Sequence, residues 1–141
     1  APHLLGVPLL VNLPAFAIFD ARYRRNYPFG PLLPGGMYLD WLQPARVRRR
    51  FLKSADTIAG LAAQLGVNGA GLAATVAKFN AFATSGVDAD FHRGENSYDL
   101  LYGDVRMGPN PCLAPLAEGP FHGVEIFPGD IGTKGGRSLP Q

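Results

Sequence analysis

Two neighbouring segments, "DTIAGLAAQLG" and "NGAGLAATVAKFNAFATSG", constrain this chain's fold more than any other stretch. In the first, Ile58, Leu61, Ala62 and Leu65 recur at i, i+3, i+4 and i+7, which lays them along one face of a helix. Asp56 is the expected N-cap, and Gly66 is the residue expected to end the helix. The second helix is expected to start after Asn68 and close at Gly86. Its stripe is Leu72, Val76, Phe79 and Ala83, broadened by Thr75 and Phe82. With so short a connection, the two form an αα-hairpin.

The rest of the chain reads differently. "PAFAIFD", 14–20, has the small and aromatic residues of a short buried strand, and "FHGVEIFPG", 121–129, alternates as a strand does. "ARYRRNYPFG" allows one helical turn before Pro28 stops it. "PLLPGG", 31–36, is turn material. "VRRRFLKSAD", 47–56, is a possible strand with Val47, Phe51 and Leu52 partly buried. Residues 87–104 are polar and aromatic and are expected to hold little regular structure. Residues 108–120 contain four prolines and read as a long irregular crossing. Totals of 18 Gly and 13 Pro in 141 residues support that loop-rich picture. The expected class is α+β: a small, mostly antiparallel sheet with a helical hairpin and long irregular loops.

Charge is uneven along the chain. Residues 1–53 carry eight Lys/Arg against two Asp/Glu, and residues 54–141 carry five against nine. Such halves can attract each other or present a basic face to a partner. The lone cysteine, Cys112, forms no disulfide within the chain. It reads as an inert packed thiol, and a reducing, cytoplasmic setting is the default. Residues 4–19 are uncharged but fall short of the roughly 20 residues a spanning helix needs, and Pro8, Asn12 and Pro14 interrupt them. No membrane span is expected.

Few motifs carry chemistry. "PGDIGTKGG", 128–136, looks like a phosphate loop, yet Lys134 follows Thr133 where a P-loop has Gly-Lys-Ser/Thr. Its spacing is also not the dinucleotide fingerprint. The glycines serve either a tight turn leaving a strand or a close approach of backbone to a flat or charged ligand. His3, His92 and His122 share no metal-ligand spacing. Asp88, Asp90, Glu95, Asp99 and Asp104 match a calcium loop in density alone. Arg22, Arg24, Arg25, Arg46, Arg48, Arg49, Arg50 and Lys53, with Tyr23, Tyr27 and Phe29 among them, leave a second reading open. That reading is a non-catalytic module binding a polyanion through segment 22–53. A net charge of +2 argues for a solvated or internally paired face and against nucleic acid as the partner.

Five blocks in order, "FAIFDARYRRNYPFGPLLPG", "ADTIAGLAAQLGV", "TVAKFNAFATSGVDADFHRGENSYDLLYGD", "GPNPCLAP" and "PGDIGTKGG", carry a resemblance. Over about residues 14–136 the chain resembles the catalytic (substrate) domain of FAD-dependent 3-ketosteroid dehydrogenases. These belong to the wider fumarate reductase/succinate dehydrogenase flavoprotein superfamily. The resemblance implies that residues 1–141 are a single substrate domain without the FAD-binding domain, which would be its partner in the same protein. It implies FAD as the cofactor, not retained by this chain alone, and an apolar ketone or steroid as substrate. In that family FAD accepts a hydride from the steroid A ring while a tyrosine removes a neighbouring proton. Those tyrosines lie outside this segment, so Tyr23, Tyr27, Tyr38, Tyr98 and Tyr102 inherit no such role. What carries over is the glycine block: Gly132, Thr133, Gly135 and Gly136 are the implied cofactor-proximal residues, at the return from substrate domain to flavin domain.

Overall fold

The computed structural model describes residues 13–35 and 51–127. In chain order these form β1 (Ala15–Phe19), α1 (Ala21–Asn26), β2 (Lys53–Ala55), α2 (Ile58–Leu65), α3 (Gly69–Ser85), α4 (Ser97–Tyr102) and β3 (Phe121–Ile126). The sheet order is β1-β3-β2. β1 pairs antiparallel with β3 from Ala15↔Ile126 to Phe19↔His122, and β2 pairs antiparallel from Lys53↔Gly123 to Ala55↔Phe121. The last described strand is therefore the middle one, and the α+β class is as expected.

The helical hairpin forms where the apolar periodicity places it. α2 and α3 end at Gly66 and Gly86, both left-handed, and Asn68 caps α3 by accepting from Gly71 N at 2.7 Å. Two details differ from expectation. The N-cap of α2 is Thr57, whose hydroxyl accepts from Gly60 N at 3.0 Å. Asp56 stands one position too early for that role. Thr75 is exposed and returns its hydroxyl to Gly71 O at 2.9 Å, so it does not widen the buried stripe. Ala83 is the buried end of that stripe, with Leu72, Val76 and Phe79 half-buried along it.

Gly123 explains how α2 lies on the sheet. A Cβ built at Gly123 would sit 2.8 Å from Leu65 Cδ1, so a side chain there would force the Leu65 side chain to shift. Around the strands, Phe19, Leu32, Leu52 and Val124 form a buried cluster, with Tyr23, Phe29 and Phe51 packed against it. Each such burial is worth about 1.5–3 kcal/mol by area.

Two loop expectations are corrected. Strand structure in 47–56 is confined, among the described residues, to Lys53–Ala55; Leu52 is buried and Phe51 half-buried. Val47 and the rest of that run lie outside the described residues. Segment 87–104 contains α4, where little regular structure was expected. No residue of α4 is buried, so it has no apolar stripe to betray it. Polar capping starts it instead. Asn96 accepts from Asp99 N at 2.9 Å, and Asp99 accepts from Gly94 N at 3.0 Å.

Candidate functional site

The crossing from 108 to 120 cannot be held as a strand, because its prolines lack donors. Side chains stitch it down instead. Asp20 caps α1 through Tyr23 N at 2.9 Å and also accepts from Ala117 N at 3.3 Å. Asn80, on α3, pairs with both backbone groups of Leu116, donating at 3.0 Å and accepting at 2.7 Å. Asn110 is buried; it donates to Gly86 O at 3.0 Å and Arg93 O at 2.9 Å and accepts from Cys112 N at 2.9 Å. Gly94 passes close beside it at φ +85, where a Cβ would strike the Asn110 amide. Outside these stitches, Arg25 forms a bidentate pair with Glu118 at 2.7 and 2.8 Å.

Holding the crossing this way leaves a cavity of about 760 Å³ between it, β1, α1, α3 and α4. That volume lies within the range of small-molecule sites. Two tyrosine pairs, each at i, i+4, line it. Tyr23 of α1 and Tyr27, its C-cap, have ring centroids 4.9 Å apart, and Tyr98 and Tyr102 of α4 have theirs 5.0 Å apart. Phe19, Phe79, Met107 and Leu113 add apolar lining. Tyr27 donates its hydroxyl proton to Asp104, whose carboxylate also takes the Arg106 guanidinium, Nη2 at 2.7 Å. Those two donors, Arg106 first, hold Asp104 well below the ordinary carboxylate range, and Asp104 in turn pushes Tyr27 up. Burial pushes Tyr23 up.

Arg93 also reaches this cavity. It stacks 5.1 Å from the Phe79 ring and 5.5 Å from Phe91, and its Nε donates to Asp88. Asp88 is fully enclosed and also accepts from Asp90 N at 3.1 Å and Phe91 N at 3.2 Å. Chiefly through Arg93, its carboxyl is lowered to about 2. The acidic residues of 88–104 are thus engaged within the fold: Asp90 with Lys78 at 2.7 Å, Glu95 with His92 at 3.0 Å, and Asp99 with Gly94 N. Among the described residues no group of three His, Cys, Asp or Glu is placed to hold a metal ion.

The implied cofactor-proximal residues Gly132, Thr133, Gly135 and Gly136 lie outside the described residues, as do His3, Tyr38 and Arg46 through Arg50. At each of the four helix N-termini the cap, Asp20, Thr57, Asn68 or Asn96, accepts from one backbone amide of the first turn. Among the described members of the basic cluster, Lys53 is exposed, and the three arginines of α1 are engaged. Arg22 donates to Pro115 O at 2.8 Å, Arg24 is buried and donates to Leu33 O, and Arg25 holds Glu118. That pairing disfavours the polyanion-binding reading. Cys112 is half-buried and donates to Asp99 O at 3.2 Å, as a packed thiol does. No described helix is long and apolar enough to cross a membrane. Sequence reasoning missed the stitching residues Asn80 and Asn110; the prolines around residues 109–120 were the available signal, since a donor-poor crossing needs side chains to hold it.

Known proteins share this architecture. The sequence pattern of the FAD binding domain family matches residues 16–138. The 3-oxosteroid 1-dehydrogenase of Mycobacterium tuberculosis (strain ATCC 25618 / H37Rv) is 47% identical over 130 residues, covering 89% of this chain and 22% of its own length. The 4-oxocyclohexanecarboxylate 2-dehydrogenase of Sinomonas cyclohexanicum is 41% identical over 127 residues, covering 89% and 20%. The crystal structure of 3-ketosteroid delta1-dehydrogenase from Sterolibacterium denitrificans, in complex with 1,4-androstadiene-3,17-dione, superposes with a TM-score of 0.78 at 44% identity. That superposition covers 86% of this chain and 21% of that one. The chain spans about a fifth of the length of these relatives.

Proposed function

The chain belongs to the FAD binding domain family, and from that premise we propose that it is the substrate domain of a flavoprotein oxidoreductase that desaturates cyclic ketones. The observation that carries this reading is the likeness over nearly nine-tenths of the chain to dehydrogenases of ring ketones. A 3-oxosteroid and a 4-oxocyclohexanecarboxylate both bear a carbonyl on a six-membered ring. Such a carbonyl acidifies the neighbouring C–H, so a base can take that proton while a hydride leaves the next carbon. The shared substrate class is a ring ketone, and an apolar one, a 3-ketosteroid, is the leading member proposed here. FAD is the hydride acceptor the family supplies.

The division of labour rests on the resemblance and on the absence of a dinucleotide fingerprint from the sequence: the nucleotide part of FAD is assigned to another domain of the same protein. Gly132, Thr133, Gly135 and Gly136 are proposed to lie beside the flavin ring, and they follow β3 closely in sequence. A cytoplasmic setting agrees with the one packed cysteine, Cys112.

The test is flavin content. The 141-residue chain, purified alone with FAD present during expression, is expected to carry far less than one flavin per chain. Stoichiometric flavin on the isolated chain would overturn the division of labour proposed here.

A further inference from the structure

We propose that the outer edge of β1 receives an additional strand from the remainder of the longer protein, which makes β1 an interior strand there. The proposal rests on the reading of this chain as one domain of a longer flavoprotein, and it adds where the remainder joins the domain.

The two edges of the sheet are built differently. With the order β1-β3-β2, both β1 and β2 stand at an edge among the described residues. β2 is three residues long and carries the exposed Lys53. Shortness and a lysine are devices by which natural sheets blunt an edge against further pairing. β1 has neither. It is five residues long, Ala-Phe-Ala-Ile-Phe, and uncharged.

The composition of β1 is that of a strand with neighbours all round. A strand with one wet face alternates apolar with polar, whereas a strand covered on both faces is apolar throughout. The sheet does cover both faces. Ile18 lines up with Gly123, over which Leu65 of α2 lies. Ala17 and Phe19 line up with Val124 and His122 on the other face, where Phe19 and Val124 belong to the buried cluster. Yet Ala15 through Ile18 are only half-buried, and Phe19 alone is buried. The cover that is missing lies along the edge. Among the described residues, the backbone of Ala15–Phe19 pairs with β3 and with nothing on its other side. Roughly half of the N–H and C=O groups of such a strand point away from its one partner. In apolar surroundings, leaving them unpaired is costly.

The space beside that edge is open. Ala17, Ile18 and Phe19 line the cavity of about 760 Å³ in succession. Successive side chains point to opposite faces, so three in a row on one wall present the strand edge-on. An added strand would lie roughly 4.8 Å from β1, along that side of the cavity. Its source is the same polypeptide. The chain spans about a fifth of the length of its relatives, so a protein of that size has ample sequence to supply five paired residues. A tethered strand also avoids the association entropy that pairing with a second copy would cost.

The experiment is residue-resolved amide hydrogen exchange on the longer protein, read over β1 and β3. The amides from Phe16 to Phe19 are all expected to exchange at least about a hundredfold more slowly than in unstructured chain, as those of β3 do. An unpaired edge would show every second amide exchanging fast. The source of the strand is read by photo-cross-linking from Phe16→p-benzoylphenylalanine in the same protein, with the joined peptide identified by mass spectrometry. The expected peptide lies outside residues 1–141. Alternating exchange along β1 would overturn the proposal. So would the lack of any cross-link outside residues 1–141, a link between two copies of β1 included. The exchange measurement, made on unaltered protein, carries the test if the Phe16 variant does not fold. Flavin content is read separately. Stoichiometric FAD with alternating exchange would keep the flavoprotein reading and end this proposal. Uniformly slow exchange and an outside cross-link without bound FAD would do the reverse.

Discussion

The two tyrosine pairs have the same spacing and nearly the same ring separation, but the fold treats them differently. Tyr23 and Tyr27 are half-buried, rest on the Phe19 ring at one end, and have a hydroxyl fixed by Asp104 at the other. Tyr98 and Tyr102 sit on a helix with no buried residue. Stacking alone does not decide what a ring is for. The first pair is part of the core's edge. The second is a wall whose apolar faces the described fold leaves open.

The largest effect that can break this contrast comes from beneath the inner pair. Phe19→Ala removes the ring on which Tyr23 and Phe29 rest, each at 5.2 Å, and should cost about 3–5 kcal/mol in urea unfolding. A loss under about 1 kcal/mol would mean that the inner wall is not anchored in the core. Next, Asn110→Ala strands Gly86 O, Arg93 O and Cys112 N in a buried place. It should cost about 2–3 kcal/mol by the same measurement, since both walls hang on that crossing.

Smaller changes sharpen the comparison. Tyr27→Phe loses a hydrogen bond to a carboxylate and should cost about 1–2 kcal/mol, whereas Tyr98→Phe and Tyr102→Phe should each change stability by less than about 0.5 kcal/mol. Equal costs at both pairs would erase the distinction. A separate expected effect is an acid limb. Asp88, lowered to about 2, stabilises the fold fully above its ordinary range near 3.8, and that contribution is lost as pH falls toward 2. Asp88→Asn should flatten that part of the stability–pH curve, as followed by urea midpoints between those limits.

Much of this architecture is legible in the sequence. The stripe from Leu72 to Ala83, with Asn68 before it and Gly86 after it, defines α3 because local periodicity and capping agree. β1 and β3 are readable as strands, but not the insertion of β3 between β1 and β2, because that pairing joins residues about a hundred apart. α4 escapes notice because its stabilisation is polar and its apolar residues face outward. The cavity escapes for the same reason as the sheet order: its walls come from four distant segments. The glycine block at 132–136 was legible as a family mark, while the described residues assemble a different feature, the tyrosine-lined cavity.

The claim that the chain is the substrate domain of a ring-ketone flavoprotein is tested most directly in the longer protein proposed to contain it. The purified longer protein would be mixed anaerobically with androst-4-ene-3,17-dione while its flavin absorbance is followed. The account predicts bound FAD that bleaches on mixing and a steroid product carrying one new ring double bond beside the ketone. Bound FAD that stays oxidised with this steroid and with simpler cyclohexanones would contradict it.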